Sequence, residues 1–305
     1  MRTGAFFFVL GLSLGGLFVT RSACGQTELI DHPPKFTESF PRLLEKAQKG
    51  DPGAQFQVGL IYETGNGTER DYAEAVRWYR KAADSGNSGA QNNLGGLYSR
   101  GLGAELSDAE ALKWYLRAAL DGYPAAQNNV GFMYANGRGV ARDNETALSW
   151  YHKAAAQGYA PAQTNLGFMY GSGLGVPSDS AVAIKWYRKA AKQGYAPAEY
   201  NLGLLYLNGS GVRPEFGDAL RWLKQSADHG FASAKNQLGL LYERGQGVAQ
   251  NCEAATKWYR MAAEDGLAEA RHNLSLLDSL RCVHDNSASS KPLSTGSAEL
   301  HAAQP

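Results

Sequence analysis

A step of 36 residues governs the whole chain and limits the folds open to it. All six tryptophans keep this step; they are Trp78, Trp114, Trp150, Trp186, Trp222 and Trp258. A glycine series from Gly59 to Gly239 keeps it too, and Ser275 takes the seventh place. A fixed period of this length is typical of stacked repeat arrays. Because such arrays present an extended surface and do not enclose a reaction site, the period favours a binding protein over an enzyme.

Each repeat carries the pattern of two helices joined by a glycine-containing loop. In the third repeat, apolar residues recur at helical spacing on both sides of residues 137–140, and Gly158 is placed to end the second helix. Each Trp is predicted to fill the space between neighbouring helix pairs. The residues predicted to cap the second helices are Asp71, Ser107, Asp143, Asp179 and Asn251, with Glu215 as an exception. The pattern predicts an all-α fold, an α/α solenoid of about six helix-turn-helix repeats.

Residues 1–25 have the pattern of an export signal. Arg2 gives a positive start, Ala5 to Val19 is mostly apolar, and Ala23-Cys24-Gly25 is the best cleavage site. An uncleaved membrane anchor and a lipoprotein acylated at Cys24 stay open as alternatives. The predicted order along the chain is a signal peptide (1–25), a polar leader (26–38), a half-repeat helix (39–50), six repeats (51–266), a capping helix (267–282) and a disordered tail (283–305).

Charge and motifs speak against several functional classes. The chain has 30 Lys and Arg against 29 Asp and Glu, so its net charge of +1 gives no case for binding nucleic acid or an anionic membrane. Its six histidines show no metal-ligand spacing. Gly-x-Gly loops such as 65–67 follow no strand and lack a phosphate-binding lysine. The sequence therefore predicts no catalytic residue, no cofactor and no metal, and a protein that is not an enzyme.

The repeated residues resemble a known family. The fourth repeat, with Ala162–Tyr170, Gly173–Val176 and Ala183–Ala191, is similar to the Sel-one-like repeat (SLR), a 36-residue relative of the tetratricopeptide repeats. The resemblance covers residues 39–282 and implies a right-handed superhelix of antiparallel helix pairs that acts as a scaffold or adaptor. Cysteine-rich bacterial members linked to β-lactam binding or hydrolysis suggest an alternative, although no Ser-x-x-Lys signature is present. An adaptor of the ER lumen is another.

The resemblance also indicates a binding surface. If the first helices line a concave face, as in tetratricopeptide-like arrays, the places that vary between repeats are the best candidates for partner contact. The predicted partner-binding residues are Asn128, Phe132, Thr164, Phe168, Tyr200 and Leu204. Ordinary packing between first helices is the alternative. An Asn ladder beside this row (Asn93, Asn129, Asn165, Asn201 and Asn273, with Gln57 and Gln237) either clamps a peptide or serves the repeats themselves.

Two cysteines near the C-terminus are predicted to form a disulfide. Cys252 begins the second helix of the sixth repeat and Cys282 ends the capping helix, 14 and 16 residues from the turn at Gly266. Antiparallel helices therefore bring them side by side, and an oxidising compartment favours the bond. Two separate thiols are the alternative. Together these features predict an exported scaffold, periplasmic or secreted, that binds a protein or peptide partner and has no membrane span after signal cleavage.

Overall fold

The computed structural model describes residues 38–280, and within that range the protein is built of helices without a strand. This confirms the all-α prediction. The helices are α1 (Phe40–Gln48), α2 (Pro52–Thr64), α3 (Tyr72–Asp84), α4 (Ser88–Arg100), α5 (Asp108–Leu120), α6 (Pro124–Asn136), α7 (Asn144–Ala156), α8 (Ala160–Ser172), α9 (Ser180–Ala191), α10 (Ala196–Asn208), α11 (Phe216–Asp228), α12 (Ala232–Arg244), α13 (Cys252–Glu264) and α14 (Ala268–Leu280).

Six helix pairs stand between two single helices. The even-numbered helices α2 to α12 are the first helices of the repeats, and the odd-numbered helices α3 to α13 are the second helices. Helices α1 and α14 lie within the predicted half-repeat and cap, residues 39–50 and 267–282. The predicted signal peptide and the predicted tail, together with most of the leader, lie outside the described residues.

The chain divides into two compact units after Pro214. The first unit contains α1 to α10, and the second contains α11 to α14. The division falls in the loop of the fifth repeat, within the segment 51–266 that the sequence predicts to hold the six repeats.

Side-chain caps begin five of the six second helices, as the sequence predicts. Asp71, Ser107, Asp143, Asp179 and Asn251 each accept a hydrogen bond from a backbone N–H of the first turn. This satisfies donors that have no partner within the helix. The predicted exception is confirmed as well, because the Glu215 side chain makes no such bond. The predicted closing glycine between each pair and the next has positive φ, as Gly158 does at 85°.

In five of the six repeats a tyrosine follows the tryptophan and lies deeper than it, whereas Leu223 takes this place in the fifth repeat. Tyr79, Tyr115, Tyr151, Tyr187 and Tyr259 are at most 3% exposed. Each ring packs on a glycine of its own first helix; a Cβ at Gly131 would lie 2.8 Å from the Tyr151 ring. Trp78 and Trp114 are buried, but Trp150 and Trp186 are only half-buried. The prediction that each Trp fills the space between neighbouring helix pairs therefore holds best for Trp78 and Trp114, while Trp150 and Trp186 keep contact with solvent.

A recurring hydrogen bond joins each of the first four helix pairs to the helix before it. The amide Nε2 of a glutamine in the first helix donates to the last-turn carbonyl of the preceding second helix, as in Gln127 to Ala119 O at 3.2 Å. The bond recurs at Gln55, Gln91 and Gln163. Because those carbonyls have no partner within their own helix, the glutamine supplies a C-terminal cap from the next repeat.

From the second repeat onwards, the loop packs closely on the preceding second helix. A Cβ at Gly139 would lie 2.5 Å from the backbone oxygen of Asp108, the first residue of α5. Arg138 beside it donates to the Asp108 carboxylate and to the backbone oxygen of Ser99 at 3.0 Å. The loop therefore fixes the spacing between repeats.

We expect Gly139→Ala to destabilise the protein more than Gly158→Ala. Both glycines have positive φ, which costs an L-residue roughly 1–2 kcal/mol. A Cβ at Gly158 meets nothing within 4 Å, whereas one at Gly139 collides with the backbone of α5. Urea midpoints of the two variants test this, and equal midpoints would show that the loop can move away from α5 without cost.

Candidate protein-binding surface

The structure places the six predicted partner-binding residues on three successive first helices. Asn128 and Phe132 lie on α6, Thr164 and Phe168 on α8, and Tyr200 and Leu204 on α10. On each helix the two residues are four positions apart, so they share one face. Asn128 is 2% exposed and Phe132 and Thr164 are each 9% exposed, so only Phe168, Tyr200 and Leu204 keep substantial contact with solvent.

The Asn ladder forms hydrogen bonds between repeats. Asn165 Nδ2 donates to Asn128 Oδ1 at 2.8 Å, and Asn129 Nδ2 donates to Asn92 Oδ1 at 3.0 Å. Asn273 and Asn236 repeat this bond at 3.0 Å. These amides bind one another between first helices, which favours the interpretation that the ladder serves the repeats.

The ladder changes at the fourth repeat. Thr164 occupies the position at which Asn92 and Asn128 accept the ladder hydrogen bond from the next first helix. Its hydroxyl instead donates to Ala160 O of its own helix at 3.0 Å. Asn201, which corresponds to Asn165, is 6% exposed, and its Oδ1 has no hydrogen-bond partner among residues 38–280. Thr164 and Asn201 therefore lie where the pattern that joins the neighbouring repeats is absent.

A buried polar cluster in the first two repeats was not predicted from the sequence. The Tyr79 hydroxyl donates to Glu63 Oε2 at 2.7 Å, and Arg100 Nη2 donates to Glu63 Oε1 at 3.0 Å. Asn93 Nδ2 donates to the Tyr79 oxygen at 3.2 Å. Burial, reinforced by the Glu63 carboxylate, raises the pKa of Tyr79 well above its usual value. The available signal was a Glu 16 residues before the Tyr, which recurs as Glu243 and Tyr259 with a 2.6 Å bond.

The fourth repeat lacks the acid of this cluster. Gly171 stands 16 residues before Tyr187, in the place of Glu63. Tyr187 is fully buried, and its hydroxyl has no hydrogen-bond partner among the described residues. Burial alone raises the pKa of Tyr187. The same side chain therefore has different polar surroundings in two repeats with the same backbone pattern.

We expect Tyr79→Phe to lower stability by about 1–3 kcal/mol, because it leaves the buried Glu63 carboxylate without one of its donors. Tyr187→Phe is the matched control, since it removes a hydroxyl that has no internal acceptor, and we expect a change within about 0.5 kcal/mol. Urea unfolding of both variants measures the difference. A Tyr187→Phe loss as large as that of Tyr79→Phe would mean that the Tyr187 hydroxyl is well paired in solution.

Two further findings limit the chemistry of the described part of the chain. Within residues 38–280, no group of three or more His, Cys, Asp or Glu side chains is arranged to hold a metal ion. In the same range, none of the helices has the length and hydrophobicity needed to cross a bilayer.

Cys252 is the first residue of α13. The predicted partner, Cys282, lies outside the described residues. The pairing of these two cysteines therefore stays a prediction.

The helix pairs coincide with a known repeat. The Sel1 repeat matches six consecutive segments, each containing one first helix, its loop and the following second helix: 52–87, 88–123, 124–159, 160–195, 196–231 and 232–267. The chain belongs to the Sel1 repeat family. Proteins of this family generally mediate protein–protein interaction and are typically not enzymes.

Two solved Sel1 repeat structures are similar to this chain. A Sel1 repeat protein from Oxalobacter formigenes is 32% identical, with a TM-score of 0.67 over 73% of this chain and 96% of that one. A protective antigen of uropathogenic Escherichia coli with an SLR fold is 33% identical, with a TM-score of 0.59 over 81% of this chain and 60% of that one. Both agree with the repeat architecture, and this chain spans less than two thirds of the antigen.

A curated relative matches over one short stretch. The chitin synthase regulator of Saccharomyces cerevisiae is 46% identical over 46 residues, which are 15% of this chain and 7% of that protein. The chain therefore spans only a small part of that relative.

Proposed function

We propose that this Sel1 repeat protein is an exported scaffold that acts by binding a segment of a partner protein along α6, α8 and α10, and that it has no catalytic activity. We call the six predicted partner-binding residues on α6, α8 and α10 the first-helix row. The observation that supports the proposal is that three of them keep contact with solvent. Phe168, Tyr200 and Leu204 are large, half-buried and adjacent in the repeat order. Buried aromatic and aliphatic anchors supply most of the binding energy in protein interfaces.

The remaining residues of the row support these three from within. Asn128 and Thr164 are held by hydrogen bonds to Asn165 and to Ala160, and Phe132 is almost fully enclosed. Their side chains are therefore fixed before a partner arrives, which lowers the entropy lost on binding. In the proposal, Asn128, Phe132 and Thr164 shape the surface, while Phe168, Tyr200 and Leu204 enter the contact.

We expect Phe168→Ala and Tyr200→Ala each to weaken partner binding by about tenfold or more, since interface anchors cost at least ~1.4 kcal/mol on truncation. The partner is first identified by affinity capture with the mature protein and mass spectrometry, and binding is then measured with both purified proteins. Thermal unfolding of the variants shows whether they remain folded.

Lys113→Ala on the second helix α5 is the control, because Lys113 is exposed and lies outside the row. We expect it to leave this affinity unchanged. If second-helix variants abolish binding while Phe168→Ala and Tyr200→Ala are silent, the partner uses the opposite face of the repeats and the proposed site is wrong.

Export is the second part of the proposal. Its support is the N-terminal pattern, with Arg2, the apolar run Ala5 to Val19 and the small residues at 23–25. An oxidising destination also suits the predicted disulfide of Cys252.

We expect the mature protein to begin near Gln26 and to contain a Cys252–Cys282 disulfide. Closing this loop stabilises the C-terminal helix pair by roughly 3–4 kcal/mol in the chain-entropy model. N-terminal sequencing of the exported protein checks the cleavage site. Thiol titration of the denatured protein checks the bond, with no reactive thiol before reduction and two after it. Two reactive thiols without reduction would rule out the pairing.

A further inference from the structure

Helix α9 differs from α3, α5 and α11 in the partners of its cations. On α3, α5 and α11 the basic residue at one fixed place pairs with an acid three residues earlier; the pairs are Arg77–Glu74 at 2.6 Å, Lys113–Glu110 at 3.2 Å and Arg221–Asp218 at 2.8 Å. On α9 that basic residue is Lys185, and Val182 stands where the acid would be. Lys185 consequently forms no ion pair within residues 38–280.

The C-terminal end of α9 also carries a positive charge where three other second helices carry an acid. Lys192 stands where α3, α11 and α13 carry Asp84, Asp228 and Glu264. With Lys185, Arg188 and Lys189, it makes four cations along a 12-residue helix and its C-cap, and the helix itself contains no Asp or Glu. Asp179 lies at the opposite end, where it caps the helix by accepting from the Val182 N–H at 2.9 Å.

Two of these cations are held in place without losing their charge. Lys189 Nζ lies 4.1 Å from the centroid of the Trp186 ring. Arg188 Nη2 donates to the hydroxyl oxygen of Tyr206 at 2.6 Å. An aromatic face and a hydroxyl fix a cation but do not neutralise it, so both groups remain available to an anion and lose little freedom on binding.

The same residues line a shallow surface pocket of about 400 Å³. The surface of the pocket is almost wholly apolar, and it is supplied by Val182, Trp186 and the carbon stems of the four basic residues, each of which also carries a charged end group. A ligand that fits must therefore combine negative charge with an apolar group.

We propose that this face of α9 is a second binding surface, which holds an acidic segment of a protein partner with an apolar side chain between its carboxylates. From Lys185 to Lys192 the helix rises about 10 Å, which is the length of about three residues of extended chain. Two or three carboxylates on such a segment meet the cations, and the apolar side chain contacts Val182 and Trp186. An anionic bilayer supplies the charge but no side chain for the pocket.

The probe is a blocked synthetic pentapeptide, Asp-Glu-Leu-Asp-Glu, measured against the mature full-length protein by fluorescence anisotropy. The matched peptide Asn-Gln-Leu-Asn-Gln keeps the shape and removes the charge. We expect the acidic peptide to bind at low salt and to weaken as salt rises, because exposed charges are screened over about 10 Å at 0.1 M ionic strength. The amide peptide is expected not to bind.

Variants at equivalent positions of two repeats distinguish a specific binding site from an effect of the protein's net charge. Lys185→Gln and Lys113→Gln remove the same charge at equivalent places, but Lys113 already pairs with Glu110. We expect Lys185→Gln to weaken peptide binding about two- to fivefold and Lys113→Gln to leave it unchanged. Val182→Glu restores the acid found on α3, α5 and α11, and we expect it to weaken binding about tenfold.

Several outcomes overturn the proposal. Equal losses from Lys185→Gln and Lys113→Gln would show an effect of net charge alone, and equal binding of the two peptides would show no role for carboxylates. Binding to anionic phosphatidylserine vesicles, lost in Val182→Glu, with no binding of the acidic peptide would assign the surface to lipid. Phe168→Ala should leave peptide binding intact, so this test is independent of the first-helix proposal; circular dichroism melting confirms that each variant is folded.

Discussion

In five of the six repeats, the contact between a glycine of the first helix and a tyrosine of its partner helix sets the geometry of the pair. A Cβ at Gly95, Gly131 or Gly167 would lie 2.7–2.9 Å from the facing ring. No side chain larger than hydrogen fits there without displacing the ring, so the two helices meet at one closely defined separation. That separation encloses the tyrosine more completely than the tryptophan, which is buried in the first two repeats and half-buried in the third and fourth.

The sequence predicts the helices well because their period, caps and glycines are local features. It predicts the depth of the tryptophans less well. Trp150 and Tyr151 are adjacent and both suit an apolar helical face, so periodicity alone does not tell which of them the glycine contacts. Gln127 shows a similar limit. Its recurrence marks it as structural, but its acceptor, Ala119 O, belongs to another repeat, and only the packing of the two repeats brings them together.

The predicted binding row shows the same division between pattern and packing. Variation between repeats singled out Asn128 and Tyr200 equally. Asn128 is enclosed because Asn165 of the next repeat bonds to it, whereas Tyr200 remains half-exposed. Variation thus identifies the places that differ, but the neighbouring repeat determines which of them meet solvent. The α9 surface is hard to recognise from the sequence, because Lys185 is a basic residue like Arg77, Lys113 and Arg221 at the same repeat position. The informative change is Val182, which stands where those helices have an acid.

Two departures from the repeat pattern fall in the fourth repeat, one at each of the two proposed binding surfaces. Thr164 replaces the acceptor that Asn129 and Asn165 use, so Asn201 lacks that bond. Val182 leaves Lys185 without the counter-charge that the equivalent residues of α3, α5 and α11 have. Yet the repeat keeps the residues of its core, where Ala162, Leu166, Ala183 and Tyr187 are fully buried. Since each repeat of a stacked array contacts only its neighbours, a change on one repeat has a local cost. An array with an unchanged core therefore tolerates one repeat in which polar side chains are available to a partner and form fewer hydrogen bonds and ion pairs within the fold.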